Sequence, residues 1–248
     1  MKNADRWRPS KFVFRDGRLR ASHDTREVSI GSRLAADLVA AQYDRHLKDH
    51  ARGRLADLGC GKAPLYGAYR ALVSETFCVD WQNSLHGNEY LDLACDLSGP
   101  LPLPDQAFDT VILSDVLEHL PEPQPLWLEI ARILRAGGKL LLNAPFLYGL
   151  HEVPHDYCRY SEFSLRRFAA GAGLEVLLLE RTGGAPQVLA DIAAKTLLLY
   201  FPRAGAWAAN ALQQGAALFA RTRAGGRISA ATAAQFPAGY FLVARKPA

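Results

Sequence analysis

The chain has 248 residues, 49% of them hydrophobic and 22% charged. That is enough chain to bury a core without covalent staples, and the balance excludes a disordered chain, a collagen-like repeat and a disulfide scaffold. Net charge is only +4, but residues 1–30 hold eight basic against four acidic side chains, and seven basic residues and no acid follow Asp191; basic ends around an acidic middle favour an anionic ligand or surface near the ends.

In chain order, Asp16-Gly17 between residues 12–14 and 18–20 predicts a small hairpin. Leu34, Leu38, Tyr43 and Leu47 recur near helical spacing behind Ser32, which predicts a helix over 32–48. An alternation then begins. Strands are expected at 54–58, 76–79, 90–93 (weak), 108–113, 139–143 and 174–179, with helices at 65–73, 125–134 and 161–172. That rhythm predicts an α/β fold with a mostly parallel sheet covered on both faces. Residues 186–220 read as two apolar helices divided at Pro202-Arg203-Ala204-Gly205. Charges interrupt every apolar run there, so neither is a membrane span. Residues 221–235 read as a loop, and 239–244 as a last strand.

Cys60, Cys78, Cys95 and Cys158 form no C-x-x-C pair, so no zinc ribbon is expected and no metal site is assigned. MKNADRWRPS has no apolar leader, which with unpaired cysteines suggests a cytoplasmic protein.

The chemistry gathers at predicted strand ends. Residues 55–61 (LADLGCG) run from a buried strand into a turn with two glycines. Glycine permits a sharp turn and lets a ligand lie on the backbone. The acid before it disfavours a pyrophosphate and favours a ligand carrying a positive group. Asp80 ends the next strand, where a carboxylate can accept from two ribose hydroxyls. Asp96 can accept from an adenine amino group with Leu97 packed on the ring, and Asp92 is a rival for that role. Residues 108–120 (FDTVILSDVLEHL) bring Ser114 to the same edge.

Together these segments, with DLGCGKAP at 57–64, VD at 79–80, CDLSGPLPLPDQAFD at 95–109, ILSDVLEHLPEP at 112–123 and ILRAGGKLLLNAPF at 133–146, resemble the class I S-adenosylmethionine-dependent methyltransferases, of the type 11 kind, over about residues 53–180. The resemblance implies a Rossmann-like fold with a seven-stranded sheet whose last strand, 239–244, is antiparallel. It implies S-adenosylmethionine as cofactor, with Asp57, Gly59 and Gly61 around its methionine part, Cys60 and Trp81 in the same set, Asp80 at the ribose, Asp96 and Leu97 at the adenine and Ser114 near the sulfonium. A side chain at Gly59 is then expected to fill cofactor space. On this reading residues 1–50 are a basic segment and helix, 51–183 the cofactor-binding core, 184–235 an apolar helical insertion and loop, and 236–248 the last strand of the core.

A narrower resemblance rests on PFLYGLHEVPHDYCRY at 145–160, which is similar to a methyltransferase subgroup linked to bacterial surface glycan or glycolipid assembly. It implies a small-molecule or lipid-linked glycan acceptor, methylated at oxygen. The segment packs two His, an Asp, a Glu and three Tyr into residues 148–160, and loops at a ligand edge carry function more often than framework. His155 is the preferred base, with His119 next; His119 sits in a Glu-His-Leu pattern that also suits packing and capping. Asp156 is expected to orient His155 or bind substrate, Arg159 to pair with a phosphate or carboxylate, and His151, Tyr157 and Tyr160 to line the acceptor pocket.

The alternative function is a catalytically silent scaffold binding a partner through the late helices. No N/D-P-P-Y/F signature is present, and no nucleic-acid partner is expected. The helices at 186–220, flanked by Arg203, Arg221, Arg223 and Arg227, are expected either to dock at an anionic membrane, at its inner face, or to form a homodimer.

Overall fold

The computed structural model describes residues 1–83, 87–201 and 204–248. Pro202 and Arg203, part of the expected break between the late helices, lie outside the described residues.

The N-terminal hairpin joins β1 (Phe12–Arg15) to β2 (Arg18–Ala21), with Asp16 and Gly17 both at positive φ. It lies on α1 (Arg33–His50), whose Asp37 and Asp44 accept from the Ala21 and Leu19 backbone N–H groups. The alternating part of the chain supplies β3 (Arg54–Leu58), α2 (Tyr66–Tyr69), β4 (Glu75–Asp80), β5 (Leu93–Ala94), β6 (Phe108–Ser114), α3 (Gln124–Ile133), β7 (Leu134–Pro145), α4 (Glu162–Gly171) and β8 (Glu175–Thr182). Three helices follow, α5 (Ala185–Tyr200), α6 (Ala204–Arg221) and α7 (Arg223–Thr232), and then β9 (Gly239–Arg245).

Seven strands form one sheet in the order β5-β4-β3-β6-β7-β9-β8, parallel except for β9, which pairs antiparallel with β7 and β8. This is the expected Rossmann-like architecture. Burial alternates with the pleat: Val111 and Leu113 face one core with Trp127 and Ile130 of α3, whereas Ile112 faces the other with Tyr43 and Leu47 of α1. The chain leaves β3 outward to β4 and β5 and returns to β6 on β3's other flank. Such a reversal opens a ligand crevice at the carboxyl ends of the strands. Register aligns those ends: Leu58 is opposite both Val79 and Leu113, and Ser114 is opposite Asn143.

Several expectations need correction. The helix expected at 65–73 shrinks to the four residues of α2, since Pro64 and Gly67 leave little to propagate it. The strand expected at 90–93 is two residues long, at the sheet edge. The loop expected at 221–235 is mostly α7. Its cap is Thr222, whose hydroxyl accepts from the Gly225 N–H at 3.0 Å. Its docking depends on Gly184, where a Cβ would stand 2.2 Å from the Ser229 carbonyl oxygen. Within 221–235, a Cβ on Gly225 would stand 1.9 Å from the Phe219 carbonyl oxygen, so that glycine lets α7 turn tightly off the end of α6.

Candidate active site

Asp57 is the second-last residue of β3 and is only 4% exposed. It accepts from the Tyr69 hydroxyl at 2.8 Å, and no ion pair to it is found among the described residues. Burial, with Asp80 nearby, pushes its carboxyl up to about 7, against the Tyr69 hydrogen bond. A buried carboxylate without a cation is costly, so a positively charged ligand group at this strand end relieves a strain that the fold carries by itself. The amino group and sulfonium of S-adenosylmethionine meet that requirement.

The turn after β3 is built for close approach. Gly59 and Gly61 both have positive φ, 70° and 50°. The Asp80 carboxylate accepts from the Gly61 N–H at 2.6 Å and from the Trp81 N–H at 2.7 Å, which ties the glycine turn to the end of β4. A Cβ on Gly59 would stand 2.3 Å from a methyl carbon of Val116. Gly59 is therefore needed for packing against Val116 in the segment after β6, in addition to any demand a ligand makes on it.

The N-terminal segment folds over this edge. The Trp7 indole N–H donates to the Ala63 carbonyl, and Lys11 Nζ stands 2.7 Å from Asp115. Asp115 has φ 54° and also accepts from the Asn143 amide, so it is held from both sides just past β6. Lys11, Asp115, Asn143 and Tyr69 were not singled out from the sequence. They meet only through pairings across the fold, which no local motif signals.

Loop 148–160 crosses the same edge. The His155 ring meets Trp81 edge-on with centroids 5.4 Å apart, which brings the loop to the tip of β4 beside Asp80. His155 is exposed, with Nδ1 3.3 Å from the Tyr157 hydroxyl. Its carbonyl accepts from His119 Nδ1 at 2.7 Å. The loop is further pinned by the Tyr157 and Cys158 N–H groups, which donate to the Glu118 carbonyl.

Asp156 does not orient His155. Its side chain, 1% exposed, takes a bidentate pair with Arg159 at 2.5 and 2.8 Å and accepts from the His151 N–H. The Arg159 guanidinium beside it holds its carboxyl down at about 2. Arg159 donates also to the Cys158, Tyr148 and Gly149 carbonyls. It is thus an internal strut of the loop, not a free anion receptor as expected. Tyr160 is buried against Phe168 in the main core, so it does not line a pocket. Cys60 points into a small cluster with Cys78 and Tyr90, leaving only its backbone at the turn, and Leu97 is buried in the main core. Asp96 is exposed and accepts from the Ser98 N–H, whereas its rival Asp92 accepts from the Cys78 N–H.

Beneath the loop, Glu118 is fully buried and faces His119 and His151. Burial pushes its carboxyl up. Burial also works against a charge on His151, but Glu118 and Asp156 outweigh it and raise His151.

Residues 56–142, the span from β3 to β7, match the family model described as a methyltransferase domain. A ubiquinone biosynthesis O-methyltransferase of Xanthomonas oryzae pv. oryzae is 28% identical over 144 residues, which is 50% of this chain and 57% of the relative. The chain thus spans little more than half the length of the curated relatives it matches; one from Xanthomonas euvesicatoria is 27% identical over 140 residues with the same shares. Among solved structures, the [4+2]-cyclase SpnF superposes with TM-score 0.53 at 19% identity, over 96% of this chain and 87% of that one. A methyltransferase candidate from Bacillus halodurans gives 0.55 at 13%, over 86% and 100%. At these identities the superpositions speak for the fold alone. Fold and matched segment point the same way: residues 56–142 match a methyltransferase domain, and the sheet that carries them has the Rossmann-like strand order.

Proposed function

We propose that the whole chain transfers a methyl group from S-adenosylmethionine to an oxygen of a small-molecule acceptor, with a glycan or glycolipid as the acceptor class. The observation that carries the reading is Asp57, a buried acid with no cationic partner among the described residues, beside a glycine turn tied to Asp80 at the sheet's ligand edge. The name O-methyltransferase on the curated relatives supports oxygen as the accepting atom.

The bound cofactor supplies a methyl group on a good leaving group. The chain's own task is alignment and exclusion of water, which is worth up to about 7–11 kcal/mol. Asp57 balances the ligand's positive charge, Asp80 at the tip of β4 faces the ribose hydroxyls, and Trp81 with His155 closes the edge. His155 is exposed on the loop and is the residue proposed to take the acceptor's proton; Tyr157 lies beside it. His155→Ala should lower kcat at least tenfold and leave cofactor affinity nearly intact.

Titration calorimetry with S-adenosylmethionine and its demethylated product tests the reading. Binding of both is expected. Absence of heat and of any thermal shift with either would overturn it. A second reading, a silent scaffold that docks a partner through α5 and α6, draws on the exposed Leu199, Tyr200 and Trp207. It predicts no turnover with any acceptor despite cofactor binding.

A further inference from the structure

We propose that Glu118, His119 and His151 form a binding site for a divalent transition-metal ion.

One ligand atom from each of these three residues lies within 4.8 Å of the other two. Glu118 Oε1 stands 3.6 Å from His151 Nε2 and 3.9 Å from His119 Nε2. Those separations are long for hydrogen bonds. They suit donors that share one ion, since two ligands each about 2.1 Å from it stand roughly 3–4 Å apart.

The Glu118 side chain is 0% exposed, and neither of its oxygens accepts a hydrogen bond. His119 Nε2 is likewise buried without a hydrogen-bond partner. Buried polar atoms are nearly always satisfied, and three orphans on two adjacent residues need an explanation.

The far side of each imidazole is already committed. His119 Nδ1 lies 2.7 Å from the His155 carbonyl oxygen, which can only accept, so the proton is on Nδ1 and the lone pair on Nε2. His151 Nδ1 lies 3.2 Å from the Asp156 carboxylate and 3.3 Å from the Gly149 carbonyl oxygen, with the same result. Both Nε2 lone pairs therefore face Glu118. A carboxylate behind a ligating histidine is the usual arrangement at metal sites, and Arg159 fixes that carboxylate in turn.

Two imidazoles and a carboxylate suit Zn²⁺, Mn²⁺, Fe²⁺ or Co²⁺ better than Ca²⁺ or Mg²⁺. Three protein ligands leave positions open. An acceptor hydroxyl bound there would be acidified; that consequence alone rests on the methyl-transfer reading, whereas ion binding does not.

The test uses the full chain, stripped with a chelator and dialysed. Zn²⁺ and Mn²⁺ are titrated by calorimetry, and Co²⁺ is followed by its visible absorption. One ion per chain is expected, with Co²⁺ bands changed from those of the hydrated ion. Asp156→Asn should weaken binding about 10-fold or more, and Glu118→Gln and His151→Ala should weaken it further, with folding checked by circular dichroism. If those variants fail to fold, the wild-type Co²⁺ spectrum decides. A spectrum equal to that of hydrated Co²⁺, or unchanged affinity in a folded Glu118→Gln variant, overturns the site and leaves a proton-sharing Glu118–His151 pair. S-adenosylmethionine is titrated separately into the metal-free chain. Cofactor binding without ion binding defeats this inference alone; ion binding without cofactor binding defeats the methyl-transfer reading alone.

Discussion

Asp57 joins stability to function through one proton. Unfolded, its carboxyl titrates near 4; folded, near 7. Between those values the folded state keeps a proton that the unfolded state has released, so stability falls as pH rises through that window and levels off above it. Asp57→Asn removes this slope. At pH 8 without ligand the variant should be more stable by up to about 4 kcal/mol, and at pH 3 it should match the wild type. Urea unfolding at the two pH values checks this, and parallel curves at both would show that Asp57 is not strained. The same variant should lose cofactor affinity, since the gain comes from deleting the charge that the ligand answers.

Gly59 shows what a local motif conveys and what it conceals. That a glycine stands between Leu58 and Cys60 was legible, as was its place at a strand end. The neighbour it must accommodate, Val116, lies far along the chain. Gly59→Ala combines a positive φ with a contact of 2.3 Å, and should cost about 2 kcal/mol or more of stability even before ligand is added. Chemical denaturation without cofactor reads this directly. Asp156 and Arg159 illustrate the same limit: their side-chain types marked a polar loop, but only the fold shows that they are spent on each other.

At the scale of elements, the alternation of strand and helix was legible because each obeys a period. Leu126, Trp127, Ile130 and Ile133 recur at helical spacing on α3, and all are buried. The departures fall where no period operates. The short α2 and the unexpected α7 were decided by caps and by glycines that allow backbone contact. The late helices also supply a cap that sequence could not reveal. Gln213 of α6 is buried, accepts from the Leu34 N–H at 2.8 Å and donates to the Gly31 carbonyl. It thereby satisfies an open donor in the first turn of α1. Gln213→Ala leaves both backbone groups unpaired in the interior and should destabilise the protein by about 1–3 kcal/mol. Exchange protection of amides in the first turn of α1 should fall with it; unchanged protection there would assign the role elsewhere.

At the scale of the whole molecule, the late helices join the site to an outer surface. Lys195 of α5 lies 3.4 Å over the Tyr148 ring at the root of loop 148–160, and the Tyr148 hydroxyl donates to Ser32 Oγ at 2.9 Å before α1. α5, α6 and the residue that follows α5 also leave Leu189, Ile192, Leu199, Tyr200, Phe201, Trp207 and Leu218 exposed, Trp207 at 82%. No described helix is long and apolar enough to cross a membrane. Exposed apolar residues beside Arg221, Arg223 and Arg227, in a stretch without a single acid after Asp191, fit an anionic lipid surface. Each cation near such a surface contributes about 1 kcal/mol, and salt screens it. We therefore expect cosedimentation with anionic vesicles at low salt, its loss at high salt, and weaker binding by Trp207→Ala with stability unchanged. A glycolipid acceptor would then be presented beside the loop that Lys195 braces. A chain that ignores vesicles at low salt but is dimeric by light scattering would assign the same apolar face to a second copy. A monomer that ignores vesicles would leave the glycolipid without its surface, while the cofactor site and the proposed ion site would stand on their own tests.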